Sequence, residues 1–128
     1  TQRARALTLS QIDLMDGIKF EQYLSQLLKH QGFSNVLVTQ AEGDYGADLI
    51  AERDGAKFAI QAKRYAAFLV GVEAIYQVLG GKEYYRCDAT MVITNHKFTQ
   101  QAKILAKRSN TILVDRTQLA EWIRSFRG

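Results

Sequence analysis

The chain predicts an α/β domain: a mixed β-sheet flanked by helices on both faces. Three observations carry that expectation. Two runs of alternating polarity, 47–53 and 57–63, flank Asp54-Gly55, a residue pair that favours the two-residue turn of a β-hairpin. Beyond them, short apolar stretches alternate with helical patterns, the arrangement that builds crossover-connected strands. Finally, 128 residues with 47% hydrophobic content, no proline and no repeat or linker-like tract suit one unit with a real core.

Each element follows from local chemistry. Residues 1–15 lack a clear pattern and are expected to form an extension or linker ahead of a domain spanning 16–128. Asp16 is placed to cap a helix over 17–31, where Phe20, Tyr23, Leu24, Leu27 and Leu28 form an apolar stripe and Gly32 supplies the stop. A β-branched strand at 36–40 leads into a turn at Glu42-Gly43-Asp44. After the hairpin, a helix over 71–79 is expected to end at Gly80-Gly81. A short buried strand, TMVIT, covers 90–94, and a helix over 98–108 turns Phe98, Ala102, Leu105 and Ala106 inward. Another buried strand follows at 111–114, then a last helix over 117–126 with Asp115 as its cap. The order is α-β-β-β-α-β-α-β-α, a hairpin meander followed by βα alternation.

Composition narrows the function. No apolar run approaches the ~20 residues that cross a bilayer, so no membrane contact is expected of this segment. Cys87 is the single cysteine, which excludes an internal disulfide and a cysteine-built zinc cluster and favours a reducing, cytoplasmic setting. Because the first residue is Thr1, an additional domain in a longer protein is expected. The net charge of +4 is unevenly spread. Residues 97–128 hold seven basic side chains against two acidic ones, while 41–54 hold five acidic against Arg53 alone. An acidic cluster beside a basic remainder suits a cation site that works on a polyanion, although ordinary solvated charge gives the same pattern.

The hairpin carries polar groups that a plain hairpin does not need. If Arg53 faces Ala56, Asp48 lies opposite Gln61, and alternation puts Asp48, Ile50, Ala59, Gln61 and Lys63 on one side. The other side, Leu49, Ala51, Phe58, Ile60 and Ala62, is wholly apolar. Oxygens of Asp48 and Gln61 could then meet at one cation with Lys63 beside it; alternatively, Asp48 and Lys63 pair across a solvated sheet end. Glu21, at the margin of the first helix's stripe, could join them or remain a surface carboxylate. Tyr45, Arg64 and Tyr65 flank the cluster and could touch a phosphate or sugar, and Gln77 could reach it from the following helix. In TNHKFT, Asn95, His96 and Thr99 stand ahead of a helix, where they could donate to a phosphate or cap the helix. Neither His30 nor His96 has a ligand partner at metal-binding spacing, and no Gly-rich phosphate loop or nucleophile elbow is present.

These residues resemble the PD-(D/E)xK nuclease superfamily and, within it, Mrr-type restriction endonuclease domains. The likeness runs through FEQYLSQLLKHQGF, GDYGADLI, the QAKRY that holds the QxK form of the motif, VGVEAIYQVLGGKEYY, MVITNHKFTQQAKILA and ILVDRTQL. It implies a restriction-endonuclease-like αβββαβ core and a divalent-metal-dependent endonuclease acting on DNA, with Mg²⁺ as the cofactor and Mn²⁺ as a substitute. In that picture Asp48 is the central metal ligand and Gln61 stands where most of the superfamily has an acid. Lys63 is the catalytic lysine, the carbonyl of Ala62 completes the ligand set, and Glu21 matches a first-helix glutamate. The resemblance further implies restriction of modified foreign DNA. Two other functions stay open: a weak or inactive nuclease fold that only binds DNA, and a junction-resolving nuclease working as a homodimer with paired sites.

Overall fold

The computed structural model describes residues 8–39, 45–65 and 69–127, so the expected turn at Glu42-Gly43-Asp44 lies outside the described residues. Ten elements follow in order: α1 (Leu9–Asp13), α2 (Gly17–His30), β1 (Ser34–Val38), β2 (Leu49–Arg53), β3 (Ala56–Lys63), α3 (Val72–Tyr84), β4 (Ala89–Thr94), α4 (Gln100–Ser109), β5 (Thr111–Val114) and α5 (Arg116–Arg127). The strands form one mixed sheet in the order β1-β2-β3-β4-β5. The first three are antiparallel neighbours, whereas β3, β4 and β5 run parallel, linked by α3 and α4.

The hairpin forms as its turn residues dictate. Asp54 and Gly55 both take positive φ, +54° and +80°, the conformation of a two-residue turn whose twist matches the strands. Arg53 pairs with Ala56, and the register then holds through Leu49 and Ile60. Both faces of the sheet are covered. Leu49, Ala51, Phe58 and Ile60 pack with Phe20, Leu24 and Leu28 of α2 and with Leu119 and Ile123 of α5. On the other side Ile50, Ala59 and Val92 meet Ala74, Ile75 and Val78 of α3 and Ala102 and Ala106 of α4. Burial of these two apolar layers supplies the main drive to fold.

Caps set most helix ends. The Asp16 carboxylate accepts the Lys19 N–H at 2.8 Å, and Asp115 accepts those of Thr117 and Gln118 at 3.0 and 3.2 Å. Four sequence expectations need correction. Residues 9–15 are no loose extension: Thr8 and Gln11 form a capping box on α1, and Ile12 is fully buried in the core beneath α2 and α5. The first strand runs Ser34–Val38 and thus starts earlier than expected. Strand β5 is a sheet edge, and Ile112 on it is exposed.

Fourth, α3 continues through Gly80-Gly81 to Tyr84. Gly81 serves packing there. A Cβ on it would lie 2.7 Å from the carbonyl carbon of Gly46, and one on Gly46, whose φ is +93°, would lie 2.1 Å from the Gln77 carbonyl oxygen. Two glycines therefore let the chain entering β2 cross directly over α3. Cys87 is buried, and burial pushes its thiol pKa up, as suits a packed residue. Among the described residues no helix is long and apolar enough to cross a membrane.

Candidate active site

Asp48 sits one residue before β2, and there the hairpin departs from its expected register. Its N–H donates to the Ile60 carbonyl at 2.8 Å, a residue already paired with Leu49. Two residues of one strand thus oppose one of the other, which is a β-bulge. Alternation breaks accordingly: Ala47 and Ile50, an odd number apart, both face the α3 side. Asp48 is therefore not simply opposite Gln61. Instead its carboxylate accepts the Ala62 N–H at 2.8 Å, taking the place of the strand backbone that the bulge has withdrawn. Thr39 fixes the other side by donating its N–H at 2.9 Å and its hydroxyl at 3.1 Å to the Asp48 carbonyl.

This arrangement turns the carboxylate toward α2, where it meets Glu21. Burial first, and then the Asp48 charge and a hydrogen bond with Asp48, together push the Glu21 carboxyl up to about 7 from an ordinary value near 4.5. At neutral pH Glu21 is therefore only partly ionised. A strand residue's N–H and C=O point to the same side, so the Ala62 carbonyl also faces the edge that Asp48 occupies. Gln61 is buried, and its Oε1 has no hydrogen-bond partner among the described residues. Lys63, two residues on and half-buried, ends β3 in register with Thr94.

Two carboxyls and a carbonyl edge thus meet at one sheet end, and Gln61, the residue before Ala62, carries an unsatisfied amide oxygen. Such a set suits a hard dication of the Mg²⁺ or Mn²⁺ type. Among the described residues no group of three or more His, Cys, Asp and Glu side chains could hold a metal, so any site here must include the neutral donors.

The flanking candidates divide. Tyr45 lies flat against Tyr84, with ring centroids 3.9 Å apart and planes 2° from parallel. With Tyr76, Gly46 and Gln77 the pair lines an open cleft of about 350 Å³. Gln77 lies beside the strand that leads into Asp48, and its buried Oε1 also has no hydrogen-bond partner among the described residues. Arg64 reaches away to donate to the Asp13 carbonyl at 2.9 Å. Asn95 and Thr99 do not fit the expectation of phosphate donors. The Asn95 amide is buried and bonded to Tyr65 and Asp13, and the Thr99 hydroxyl caps α4 by accepting the Ala102 N–H at 3.1 Å. His96 has a buried Nδ1 without a hydrogen-bond partner among the described residues and lies beside Asp13.

Sequence reasoning missed Asp13 and Arg116. They form a two-pronged ion pair at 2.9 and 3.1 Å across 103 residues, and no local pattern announces a contact of that span. Arg116 holds the Asp13 carboxyl below the usual carboxylate range, and Asp13 raises Arg116 in turn.

A family model described as restriction endonuclease, the Mrr catalytic domain, matches residues 12–123. A search of the curated proteins finds no significant match. Three solved structures share the fold. The DNA modification-dependent restriction endonuclease AspBHI has a TM-score of 0.71 at 18% identity over 94% of this chain and 34% of its own. The restriction endonuclease MspJI, in complex with a 27-mer oligonucleotide, has 0.66 at 20% identity over 91% and 30%. AF1548, a protein of unknown function, has 0.59 at 21% identity over 74% and 55%. This chain therefore spans about a third of the two endonucleases and just over half of AF1548. A single family model that covers nearly the whole described fold settles the relationship: the chain belongs to the Mrr-type restriction endonuclease family.

Proposed function

We propose that this domain is a divalent-metal-dependent endodeoxyribonuclease that hydrolyses phosphodiesters in DNA. One observation carries the reading: the Glu21 and Asp48 carboxyls meet in a partly buried site, where burial and the Asp48 neighbour together raise Glu21 to about 7. Without a ligand that contact is unfavourable, and a dication reverses its sign. Asp48, Glu21, the Gln61 Oε1 and the Ala62 carbonyl would hold the ion, Mg²⁺ with Mn²⁺ as substitute. When bound, such an ion acidifies a water and neutralises charge on the phosphate.

The chain's own groups do the rest. Lys63 orients the attacking water or grips a non-bridging phosphate oxygen, and the growing negative charge strengthens that contact. Glu21 gives up its proton before the ligand set is complete. As the water oxygen bonds to phosphorus, the P–O bond to the leaving sugar breaks. Gln61 in place of a third acid keeps the negative charge of the cluster down, so activity leans more heavily on Glu21. The substrate is DNA, as in the MspJI complex with its oligonucleotide. Tyr45 and Gln77 flank its path, and the basic residues of 97–128 supply a sequence-independent grip.

Restriction of modified foreign DNA is part of the proposal. AspBHI is a DNA modification-dependent enzyme whose chain extends well beyond the part matched here, which supports placing recognition in a further domain. Double-strand cleavage would use two copies, as a homodimer. A nicking assay on supercoiled plasmid, with Mg²⁺ or Mn²⁺ and with chelator, tests the core claim. Wild type should cut and Asp48→Ala should not. The neutral, buried Gln61 favours a second reading, a DNA-binding module without cleavage. If both proteins retard DNA on a gel and neither cuts it, that reading replaces the first.

A further inference from the structure

One side chain continues the sheet where the backbone ladder stops. The pairing of β3 with β4 ends at Lys63 and Thr94. On its other edge β3 loses β2 even sooner, at Ile60. Lys63 therefore sits on a strand end with little backbone support. Two residues later, Asn95 Oδ1 accepts the Tyr65 N–H at 2.8 Å and Asn95 Nδ2 donates to the Tyr65 carbonyl at 2.9 Å. The amide engages both backbone groups of Tyr65, as a neighbouring strand would.

Its orientation is fixed from behind. Asn95 Nδ2 also donates to Asp13 Oδ1 at 2.9 Å, and Arg116 locks that carboxylate with two hydrogen bonds while donating a third to the Asn95 carbonyl at 3.0 Å. Turning the amide over would set its oxygen against a carboxylate and its NH₂ against an N–H, so one orientation alone satisfies every group. We propose that Asn95 is a positioning residue for Lys63: held by Asp13 and Arg116, it clamps Tyr65 and so fixes where the Lys63 ammonium stands. This rests on the nuclease reading of Lys63 given above.

Asn95→Ala tests the clamp. In single-turnover cleavage at saturating DNA and Mn²⁺, the rate constant should fall roughly ten- to a hundredfold, the usual cost of misplacing a reacting group by about 1 Å. Affinities for DNA and Mn²⁺ should stay within about twofold, and the Tyr65 amide should lose its protection from hydrogen exchange. The ¹³C-methyl signal of reductively methylated Lys63 should move. Asp13→Asn keeps an acceptor for the Asn95 amide and should cut within about threefold of wild type, a conservative rescue. If Asn95→Ala does not fold, Asp13→Ala, which frees the amide without removing it, should give an intermediate loss of rate and of Tyr65 protection.

Cleavage by Asn95→Ala within twofold of wild type overturns the proposal. So does a rate loss that tracks the unfolded fraction or the affinities. If the wild type does not cut, the nuclease reading fails separately. Tyr65 exchange and the Lys63 signal then decide the clamp, and no change in either overturns it.

Discussion

Two polar clusters lie at the same end of the sheet, and they have been built to opposite rules. Around Asn95, the amide meets all its partners: Tyr65, Asp13 and Arg116 close a network about it, although the neighbouring Arg64 Nε and His96 Nδ1 are buried without a hydrogen-bond partner among the described residues. Around Asp48, two carboxyls face each other, and an amide oxygen on Gln61 stays buried without a hydrogen-bond partner among the described residues. Buried polar groups in stable proteins look like the first cluster, because an unmet group costs about 1–3 kcal/mol. The second cluster carries a cost that the proposed cation would offset. That contrast separates scaffold from candidate chemistry without reference to any relative.

Asp48→Ala should produce the largest effect. Cleavage of plasmid in Mg²⁺ or Mn²⁺ should drop by on the order of 10³-fold or more, because the shared oxygen of the ligand set is gone. Thermal stability without metal should fall by less than in a scaffold variant, since the relief of Glu21 offsets part of the lost Ala62 N–H bond. A fall in Tm comparable to that of a scaffold variant would place Asp48 in the scaffold instead.

Asn95→Ala should behave the other way. It strands the Tyr65 N–H and carbonyl and removes a donor from Asp13, so a loss of about 3 kcal/mol is expected by denaturant unfolding. Addition of Mn²⁺ should recover none of that difference. If Asn95→Ala unfolds at the same denaturant concentration as wild type, the satisfied network contributes nothing and the contrast between the clusters collapses.

The glycines of α3 sharpen the comparison, because the Asp48 cluster is placed by backbone contact. Gly81→Ala forces a Cβ to within 2.9 Å of Ala47, next to Asp48. It should lose about 1–2 kcal/mol and weaken Mn²⁺ binding, while Tyr65 exchange stays unchanged. A Cβ on Gly80 would meet nothing within 4 Å, so Gly80→Ala should gain about 0.5–1 kcal/mol as an ordinary helix substitution. Calorimetry and a Mn²⁺ titration on the pair check both signs.

What could be read ahead of the structure was local. The hairpin, its turn and the Asp16 and Asp115 caps each depend on residues within a few positions, and all of them formed as the residue types require. The Asp48 bulge was not legible, because it exists only once a side chain has captured the Ala62 N–H from a withdrawn strand. Nor was the Asp13–Arg116 pair, which closes across 103 residues. Gly80-Gly81 misled because glycine ends helices and also permits close crossings, and only the position of Gly46 decides between those uses. Asn95 and Thr99 left two uses open for a similar reason: amides and hydroxyls that suit a phosphate suit a backbone equally well.

The smallest predicted effect concerns pH and reads the unsatisfied cluster directly. Glu21 has a folded-state value of about 7 against an ordinary value near 4.5. Below about 4.5 the carboxyl is neutral in the folded and unfolded chain alike, so wild type and Glu21→Gln should be equally stable. As pH rises from there through 7, the unfolded chain gives up this proton first, and the folded protein loses stability until it too ionises Glu21 beside Asp48. Glu21→Gln, which never ionises, should then be the more stable by about 1 kcal/mol, after discounting for partial exposure. Metal reverses the order: Mn²⁺ needs Glu21 ionised, so its affinity for wild type should climb through pH 7 and protect wild type more than the variant. Melting curves at pH 4, 6 and 8.5, with and without Mn²⁺, separate these cases. A Glu21→Gln curve parallel to wild type across that range would mean that the two carboxyls do not press on each other, and that the cluster lacks the strain from which its function was inferred.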